Sequence, residues 1–260
     1  MRLADRPIQT RSGPDALSYG AVPVVECGEG MVRVSDRGIA ALPWYALDGG
    51  NPPYNHAIVG APAEVWARVG VVERLVAVDA VVATLGFRLL VYDAWRPIAC
   101  QRGLWDHFWA QAMAADPDGG PAAWRAHTGR YVSDPTCFDP ADSTTWPTHC
   151  TGGAVDLTLT ANGAPVDMGT PFDDATERSH AAALELEDTP ARAHRRVLHH
   201  AMVGAGFVPY TYEWWHFDFG TQLGVAGGAP GPAIYGPVAD VSVRPERSRA
   251  LAFPASGLHR

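Results

Sequence analysis

The stretch Pro147-Thr148-His149-Cys150-Thr151-Gly152-Gly153-Ala154-Val155-Asp156 decides the fold of this chain. The alternation after the double glycine predicts a strand over 154–159, with Asp156 on one face and the apolar side chains on the face toward a core. Gly152 and Gly153 allow a sharp turn, so that His149 can come back toward Asp156. The stretch therefore predicts a buried strand that carries a carboxylate into a cleft, with an imidazole beside it.

A second stretch, Tyr212-Glu213-Trp214-Trp215-His216, adds an imidazole and a further carboxylate. Two histidines and an aspartate with a fourth position open are typical of a catalytic zinc site, whereas structural sites close with four ligands. Glu213 and His216 could instead simply face solvent, but Glu213 lies among aromatic residues, where an unpaired charge is costly. Residues three apart on a regular strand point to opposite faces, so we expect a bend or bulge near Glu213–Trp214. Together the two stretches predict a zinc hydrolase.

Two further charged positions are candidates for contact with a substrate. Arg96 follows an apolar strand predicted over 87–93 and could stabilise an oxyanion, or could form a structural ion pair with Asp93 or another acid. Asp173 and Asp174 lie in a turn and could hold a substrate ammonium, or could simply be solvated. Both alternatives stay open at each position.

The composition of the whole chain excludes several classes of protein. A net charge of −8 over 260 residues, without a basic run, is unlike a nucleic-acid-binding surface. All 20 basic residues are arginine. The absence of lysine excludes a Schiff-base lysine and a P-loop, since both need the amine.

The sequence also carries expectations about compartment and cysteine chemistry. Residues 1–7 lack the apolar core of a secretory signal, and no stretch reaches the roughly 18 apolar residues of a membrane helix. The four cysteines are scattered without the spacing of a metal or disulfide motif, so we expect free or buried thiols. We therefore expect a cytoplasmic protein with no membrane partner and no nucleic-acid partner; the oligomeric state is left open.

The remaining pattern predicts a single α+β domain with a small, mostly antiparallel sheet flanked by helices. Helices are predicted over 62–85, 98–115 and from 190 to about 204–206. Strands are predicted over 22–26, 31–34, 87–93, 154–159 and, with a break near Pro209, within 207–219; the segment 117–147 is predicted as mostly loop. We divide the chain into an N-terminal extension packed on the domain (1–44), a domain that carries the zinc motifs (45–237) and a poorly ordered C-terminal tail (238–260).

The order of these motifs resembles one family. The residues that carry the resemblance lie in four motifs: His149, Gly152, Ala154 and Asp156; Glu213, Trp215 and His216; Trp95-Arg96-Pro97; and Met168, Gly169, Phe172, Asp173 and Glu177-Arg178-Ser179-His180. From about Tyr45 to about Gly220 the chain resembles the D-alanyl-D-alanine dipeptidases of the vancomycin-resistance type. These zinc enzymes belong to a wider group with D,D-carboxypeptidases, lysostaphin-like endopeptidases and the hedgehog signalling domain, whose fold the resemblance implies here.

The resemblance also implies a role for each motif residue. Zinc, one per chain, would be bound by His149, Asp156 and His216. Glu213 would be the general base and Arg96 the oxyanion stabiliser. The substrate would be held by Asp173, which meets the free amine of a dipeptide, together with Thr148 and Trp215.

Three positions depart from the family pattern. Pro147 replaces a serine, Thr151 replaces a basic residue of many members, and Gly153 replaces a serine. We expect this loop to line the substrate site, so that the substrate could be D-Ala-D-Ala, a related D,D-dipeptide, or another small amide or peptide. Two other interpretations are possible. The chain could be a cell-wall carboxypeptidase, which would need export, or a zinc-stabilised binding module, which would not need Glu213 or Arg96.

Overall fold

The computed structural model describes residues 2–9 and 19–241. Its strands are β1 (Met31–Arg33), β2 (Ala40–Ala41), β3 (Trp66–Arg68), β4 (Arg88–Asp93), β5 (Ala154–Ala161), β6 (Ala164–Pro165), β7 (Val208–Pro209) and β8 (His216–Asp218). Its helices are α1 (Val69–Ala83), α2 (Ile98–Ala115), α3 (Gly120–Thr128), α4 (Pro190–Gly204) and α5 (Gln222–Ala226), joined by short 3-10 turns. The α+β class predicted from the sequence is confirmed.

The central sheet has the strand order β2-β4-β5-β8-β7, with β6 paired to the far end of β5. All pairs are antiparallel except β2 with β4. The register places Asp156 of β5 opposite His216 of β8 on one side and opposite Asp93 of β4 on the other. Residues directly opposite in antiparallel strands project from the same face. One row across three strands therefore carries three polar side chains.

A bulge in β4 is what brings Asp93 into that row. Val91 pairs with Leu157 and Asp93 pairs with Asp156, so Tyr92 is an extra residue in its strand. Such a bulge reverses the direction of the side chains that follow it. The last residue of β4, and the arginine just beyond it, are thereby aimed at the cleft.

The opposite face of the sheet is covered by α1 and α4, which also pack on each other. Val155, Leu157 and Leu159 alternate along β5 and are fully buried in a core that includes Leu75 of α1 and Leu198 of α4. Burial of such side chains contributes roughly 1.5–3 kcal/mol each. The core therefore fixes β5, and with it the position of Asp156.

Most of the predicted elements agree with the structure. Helix α2 has the predicted bounds, α4 begins at the predicted proline, and Thr189 caps it by accepting from the backbone N–H of Arg192. Strands β4 and β5 lie where the sequence placed them. Of the two N-terminal strands, 31–34 is found as β1, whereas 22–26 forms only an isolated bridge between Val24 and Ala233.

One predicted boundary was wrong. The helix expected from Pro62 begins at Val69, because residues 66–68 form β3 and pair with β1. The guanidinium of Arg68 fixes this corner by donating to the carbonyls of Thr151 and Gly236. The segment 117–147 is mostly loop, as predicted, but it also contains α3, which begins at Gly120 with a proline in its first turn.

Described residues of the N-terminal extension and of the C-terminal tail form hydrogen bonds with the central domain. β2, within the N-terminal extension, adds a strand to the central sheet, and Val238 pairs with the backbone of Cys150 and accepts from the indole of Trp95. Of the poorly ordered tail predicted over 238–260, residues 242–260 lie outside the described residues. No helix within residues 2–9 and 19–241 has the length and apolarity needed to cross a bilayer.

Candidate active site

His149, Asp156 and His216 converge on one point. One ligand atom from each lies within 4.8 Å of the others, and all three side chains are buried. Nε2 of His149 is 3.2 Å from Nδ1 of His216, which is 3.0 Å from Oδ1 of Asp156. Within residues 2–9 and 19–241 this is the one group of three such ligands. Two imidazoles and a carboxylate fit a divalent metal such as zinc, with a position left for water or substrate.

Each imidazole is oriented by a hydrogen bond at its other nitrogen. Nδ1–H of His149 donates to the carbonyl of Ala94 at 2.8 Å, which leaves Nε2 directed at the metal position. Nε2–H of His216 donates to Oδ2 of Asp218 at 2.9 Å, which leaves Nδ1 directed there. Such partners fix the tautomer of a ligand histidine.

The charges at this point are strongly coupled. Burial opposes the ionised form of Asp156, but His149 and His216 together hold its pKa well below the usual range. Burial likewise opposes the charged form of His216, yet Asp218 and Asp156 raise its pKa well above the usual value. Asp156 and Asp218 thus favour a positive charge between them, which a protonated imidazole can carry. A metal ion would supply that positive charge instead.

Glu213 reaches the same place from a loop. Tyr210 pairs with His216 through its backbone N–H, and residues 211–215 loop out between them. The expected departure from a regular strand is confirmed, although it is a loop before β8 and not a bulge within it. Oε2 of Glu213 lies 3.8 Å from Nδ1 of His216, and 35% of its side chain is exposed. Burial first, and then the nearby carboxylates of Asp156 and Asp173, raise its pKa to about 7.

Arg96 is held rigidly at the wall of the cleft. Its Nε and Nη2 donate to Oδ2 of Asp93 at 2.9 and 2.8 Å, and its Nη1 donates to the side chain of Gln101 at 3.3 Å. Nη2 also lies 3.4 Å from Oδ2 of Asp156 and 3.3 Å from the hydroxyl of Tyr45. The structural ion pair with Asp93 is therefore present, and the same guanidinium also faces the metal position.

Asp173 lies on the other side of the cleft. The hydroxyls of Tyr45 and Tyr54 both donate to its Oδ2, at 2.8 and 2.9 Å. Burial and the charge of Asp156 raise the pKa of Asp173 to about 6, against the opposing effect of Tyr45 and Arg96. Asp173 is thus a fixed carboxylate, not a solvated turn residue.

One cavity of about 620 Å³ joins these groups. All eight site residues named from the sequence line it: Arg96, Thr148, His149, Asp156, Asp173, Glu213, Trp215 and His216. Its volume is within the usual range for small-molecule sites. Thr148 lines the cavity, but its hydroxyl donates to Asp218 at 2.6 Å.

Several residues of this cavity were missed by the sequence reasoning. Tyr19 comes from the N-terminal extension, lines the cavity, and donates its hydroxyl to the carbonyl of Trp146 at 3.0 Å. Tyr45 and Tyr54 reach Asp173 from far along the chain, and no short motif marks them. Asp218, two residues after His216, was not named as a site residue, and its bond to that imidazole was not expected.

Of the three departures from the family pattern, only Pro147 lies among the cavity-lining residues. The hydroxyl of Thr151 donates to the carbonyl of Thr148 and accepts from the N–H of Gly153. A Cβ at Gly153 would stand 2.6 Å from the carbonyl oxygen of Phe219. The expectation that all three line the substrate site was therefore wrong: the changes at Thr151 and Gly153 belong to backbone packing.

The fold and the converged ligands with a glutamate beside them define a metallopeptidase. A family model described as D-ala-D-ala dipeptidase matches residues 62–230, and the chain belongs to that family. The D-alanyl-D-alanine dipeptidase of Synechocystis sp. (strain ATCC 27184 / PCC 6803 / Kazusa) is 30% identical over 225 residues, which cover 79% of this chain and 87% of that protein.

Two further likenesses are more partial. The D-alanyl-D-alanine dipeptidase of Escherichia coli (strain K12) is 36% identical over 134 residues, which cover 51% of this chain and 55% of that protein. A solved structure, VanYB in complex with D-Alanine-D-Alanine, is 17% identical, with a TM-score of 0.40 over 60% of this chain and 72% of that chain.

Proposed function

We propose that this chain hydrolyses D-Ala-D-Ala or a closely related D,D-dipeptide, with Glu213 as the general base. The observation that carries the proposal is the position of Glu213. Its carboxylate lies 3.8 Å from a candidate metal ligand, in the same cavity as Asp173 and Arg96. Zinc, when bound by His149, Asp156 and His216, supplies Lewis-acid polarisation of the scissile carbonyl and acidifies water at the site.

Glu213 has a pKa suited to moving a proton in both directions. A carboxyl group with a pKa of about 7 can accept a proton from the attacking water and release it to the leaving amine. The partly exposed side chain allows the carboxylate to meet water from the cavity.

Arg96 is placed to stabilise the oxyanion that develops on the scissile carbonyl. Asp93 and Gln101 hold the guanidinium in place before the reaction, so little reorganisation is needed when charge develops. The same contacts explain why the residue is buried although it is charged.

Asp173 is placed to bind the free ammonium of a dipeptide. Its carboxylate is oriented by Tyr45 and Tyr54 and faces the cavity that contains the metal position. Trp215, whose ring packs edge-on against Phe172, forms part of the same wall. A substrate with a free amine would thus be fixed at one end while its amide lies beside Glu213.

Release of D-alanine from D-Ala-D-Ala by the zinc-loaded protein is the direct test. N-acetyl-D-Ala-D-Ala is the matched control, because it keeps the scissile amide and removes the ammonium that Asp173 would bind. We expect turnover of the free dipeptide and little of the acetylated one. Preference for the acetylated peptide would instead identify a carboxypeptidase, and no turnover of either would favour another amide or a binding module.

We also propose that the reaction takes place in the cytoplasm. All four cysteines are unpaired thiols, two of them buried, as is common in a reducing compartment. Cell fractionation with an antibody to the protein tests this, and recovery with the periplasmic or secreted fraction would contradict it.

A further inference from the structure

Asp218 is a buried carboxylate for which the hydrolytic steps above give no role. It is 1% exposed and lies two residues after His216 on β8, on the same face of the strand. Its Oδ2 accepts from Nε2–H of His216 at 2.9 Å. Its Oδ1 accepts from the hydroxyls of Thr148 and Thr221, both at 2.6 Å. The carboxylate is therefore bonded on both oxygens.

The two threonines fix which oxygen faces the imidazole. The hydroxyl of Thr221 accepts from the N–H of Gly224 at 2.9 Å, so its own proton is free to be donated to Asp218. Thr148 is held by the short turn that also carries His149. With Oδ1 bonded to two hydroxyls, Oδ2 is directed at His216 and cannot rotate away without breaking three hydrogen bonds.

Thr148 and Asp218 also join the two segments that carry the histidine ligands. Thr148 directly precedes His149, and Asp218 shares a strand with His216. Their hydrogen bond spans 70 residues of sequence and does not involve the metal position. The distance between the two imidazoles is thus set partly by this pair.

We infer that Asp218 is a positioning residue for metal binding, acting through His216 and supported by Thr148 and Thr221. By accepting the proton of Nε2 it keeps the lone pair of Nδ1 directed at the metal. A carboxylate partner also makes the imidazole a stronger ligand than the neutral carbonyl that orients His149. The inference rests on the proposed metal site, and it gives Thr148 a task beyond the substrate contact expected from the sequence.

Zinc affinity of the purified protein, measured by competition with a chelator in the absence of substrate, tests the inference. Asp218→Ala should weaken zinc binding by roughly 10- to 100-fold, the usual effect of losing such a partner. Asp218→Asn should weaken it less, because its carbonyl oxygen can still accept from Nε2–H although the charge is gone. In the zinc-loaded wild type, nitrogen NMR should show the proton of His216 on Nε2.

Asp79→Asn is the matched control for a merely structural role. Asp79 is a buried carboxylate on α1, where it accepts from Arg88 and from the backbone N–H of Leu89 at the start of β4. This variant should lower the Tm of the metal-free protein and keep the wild-type affinity for zinc. The Asp218 variants should show a smaller rise in Tm on zinc addition than either the wild type or the control.

Two results would overturn the inference. Wild-type affinity for zinc in Asp218→Asn and Asp218→Ala would do so, even if both variants melt earlier; if the alanine variant does not fold, the asparagine variant decides alone. A wild-type protein that binds no zinc would overturn both this inference and the proposed function, whereas an inactive wild type that binds zinc would leave this one standing.

Discussion

Oε2 of Glu213 lies 3.8 Å from Nδ1 of His216, although the two residues are only three apart in a chain that is extended on either side. The loop at 211–215 makes this approach possible, because it removes Glu213 from the alternation of the strand. The proposed base and a candidate metal ligand, which are neighbours in sequence, are therefore also neighbours in the cavity.

Glu213→Gln should keep zinc and lose most of kcat. Removing a general base typically costs about 10²- to 10⁴-fold, and glutamine preserves the size of the side chain. Metal content by elemental analysis and turnover of D-Ala-D-Ala are the two measurements. Glu187→Gln, which alters a surface ion pair with Arg178, is the control and should remain active. An active Glu213→Gln enzyme would remove the central residue of the mechanism.

Asp173→Asn should raise KM for D-Ala-D-Ala with a smaller change in kcat. A hydrogen bond to a charged group contributes about 1.5–3 kcal/mol, which corresponds to roughly a 10- to 100-fold rise in KM. Because the pKa of Asp173 is about 6, KM of the wild type should rise as the pH falls through about 6, when the carboxylate becomes neutral. A KM in the variant that still responds to pH in this range would contradict the assignment.

The same pKa has a consequence for stability. Burial raises the pKa of Asp173 above its unfolded value of about 4, so protonation favours the folded state. The resulting contribution to the free energy of unfolding is present below about pH 4 and is lost as the pH rises through about 6. Asp173→Asn should therefore have a Tm at pH 7.5 that is no lower than that of the wild type.

Arg96→Ala should lower kcat/KM by an amount equivalent to about 2.7–4 kcal/mol of lost transition-state stabilisation, if the guanidinium supplies an oxyanion contact of the usual size. It should also lower the Tm, because it removes the guanidinium that pairs with the buried carboxylate of Asp93. Asp93→Asn separates the two effects, since it removes the ion pair and keeps the guanidinium. We expect that variant to lose stability but less activity, and Arg96→Lys to recover activity only in part. Activity retained in Arg96→Ala despite a lower Tm would make Arg96 structural.

Cys150→Ser should retain zinc and activity. Cys150 is next to a ligand, but it is buried, and burial raises the pKa of its thiol to about 12, so the thiolate is scarce at neutral pH. Slow reaction with a thiol reagent in the folded protein and unchanged zinc content are the expected results. Loss of zinc on substitution would show that the sulfur contributes to the site.

Gly153→Ser, which restores the family's serine, should destabilise the protein by about 1–3 kcal/mol. Its Cβ would meet the carbonyl oxygen of Phe219 at 2.6 Å and the ring of Tyr235 at 2.8 Å. Gly204→Ser is the matched control, because nothing lies within 4 Å of the added atom. Chemical denaturation measures both, and a neutral Gly153→Ser would show that the strands can move apart there.

The sequence predicted the elements whose pattern is local. The alternation in β5 and the helical period after Pro97 needed no knowledge of distant partners. The start of α1 was misplaced because residues 62–68 are also compatible with a helix, and only β1, far earlier in the chain, makes 66–68 a strand. The short α3 has a weak apolar pattern within a segment rich in breakers, and it was therefore not recognised within the segment predicted as mostly loop.

The site was predicted to the extent that its residues sit in short motifs. The ligands and Glu213 lie in two such motifs, and the structure brings them into one cavity. Tyr45 and Tyr54 do not lie in a short motif with Asp173, because their contact with it is made by tertiary packing over more than a hundred residues of sequence. Contacts of this kind leave no periodic or spacing signal in a single chain.

Because Tyr19 contributes to the cavity, the metal motifs and part of the cavity wall come from different parts of the chain. The metal motifs lie within residues 62–230, which the family model matches, whereas Tyr19, Tyr45 and Tyr54 precede that range. A change of side chain at Tyr19, Tyr45 or Tyr54 could therefore alter the cavity wall while the proposed ligands and the proposed base stay unchanged. Exchange of residues 19–54 between relatives is accordingly a route by which one hydrolytic centre could be redirected to new peptides.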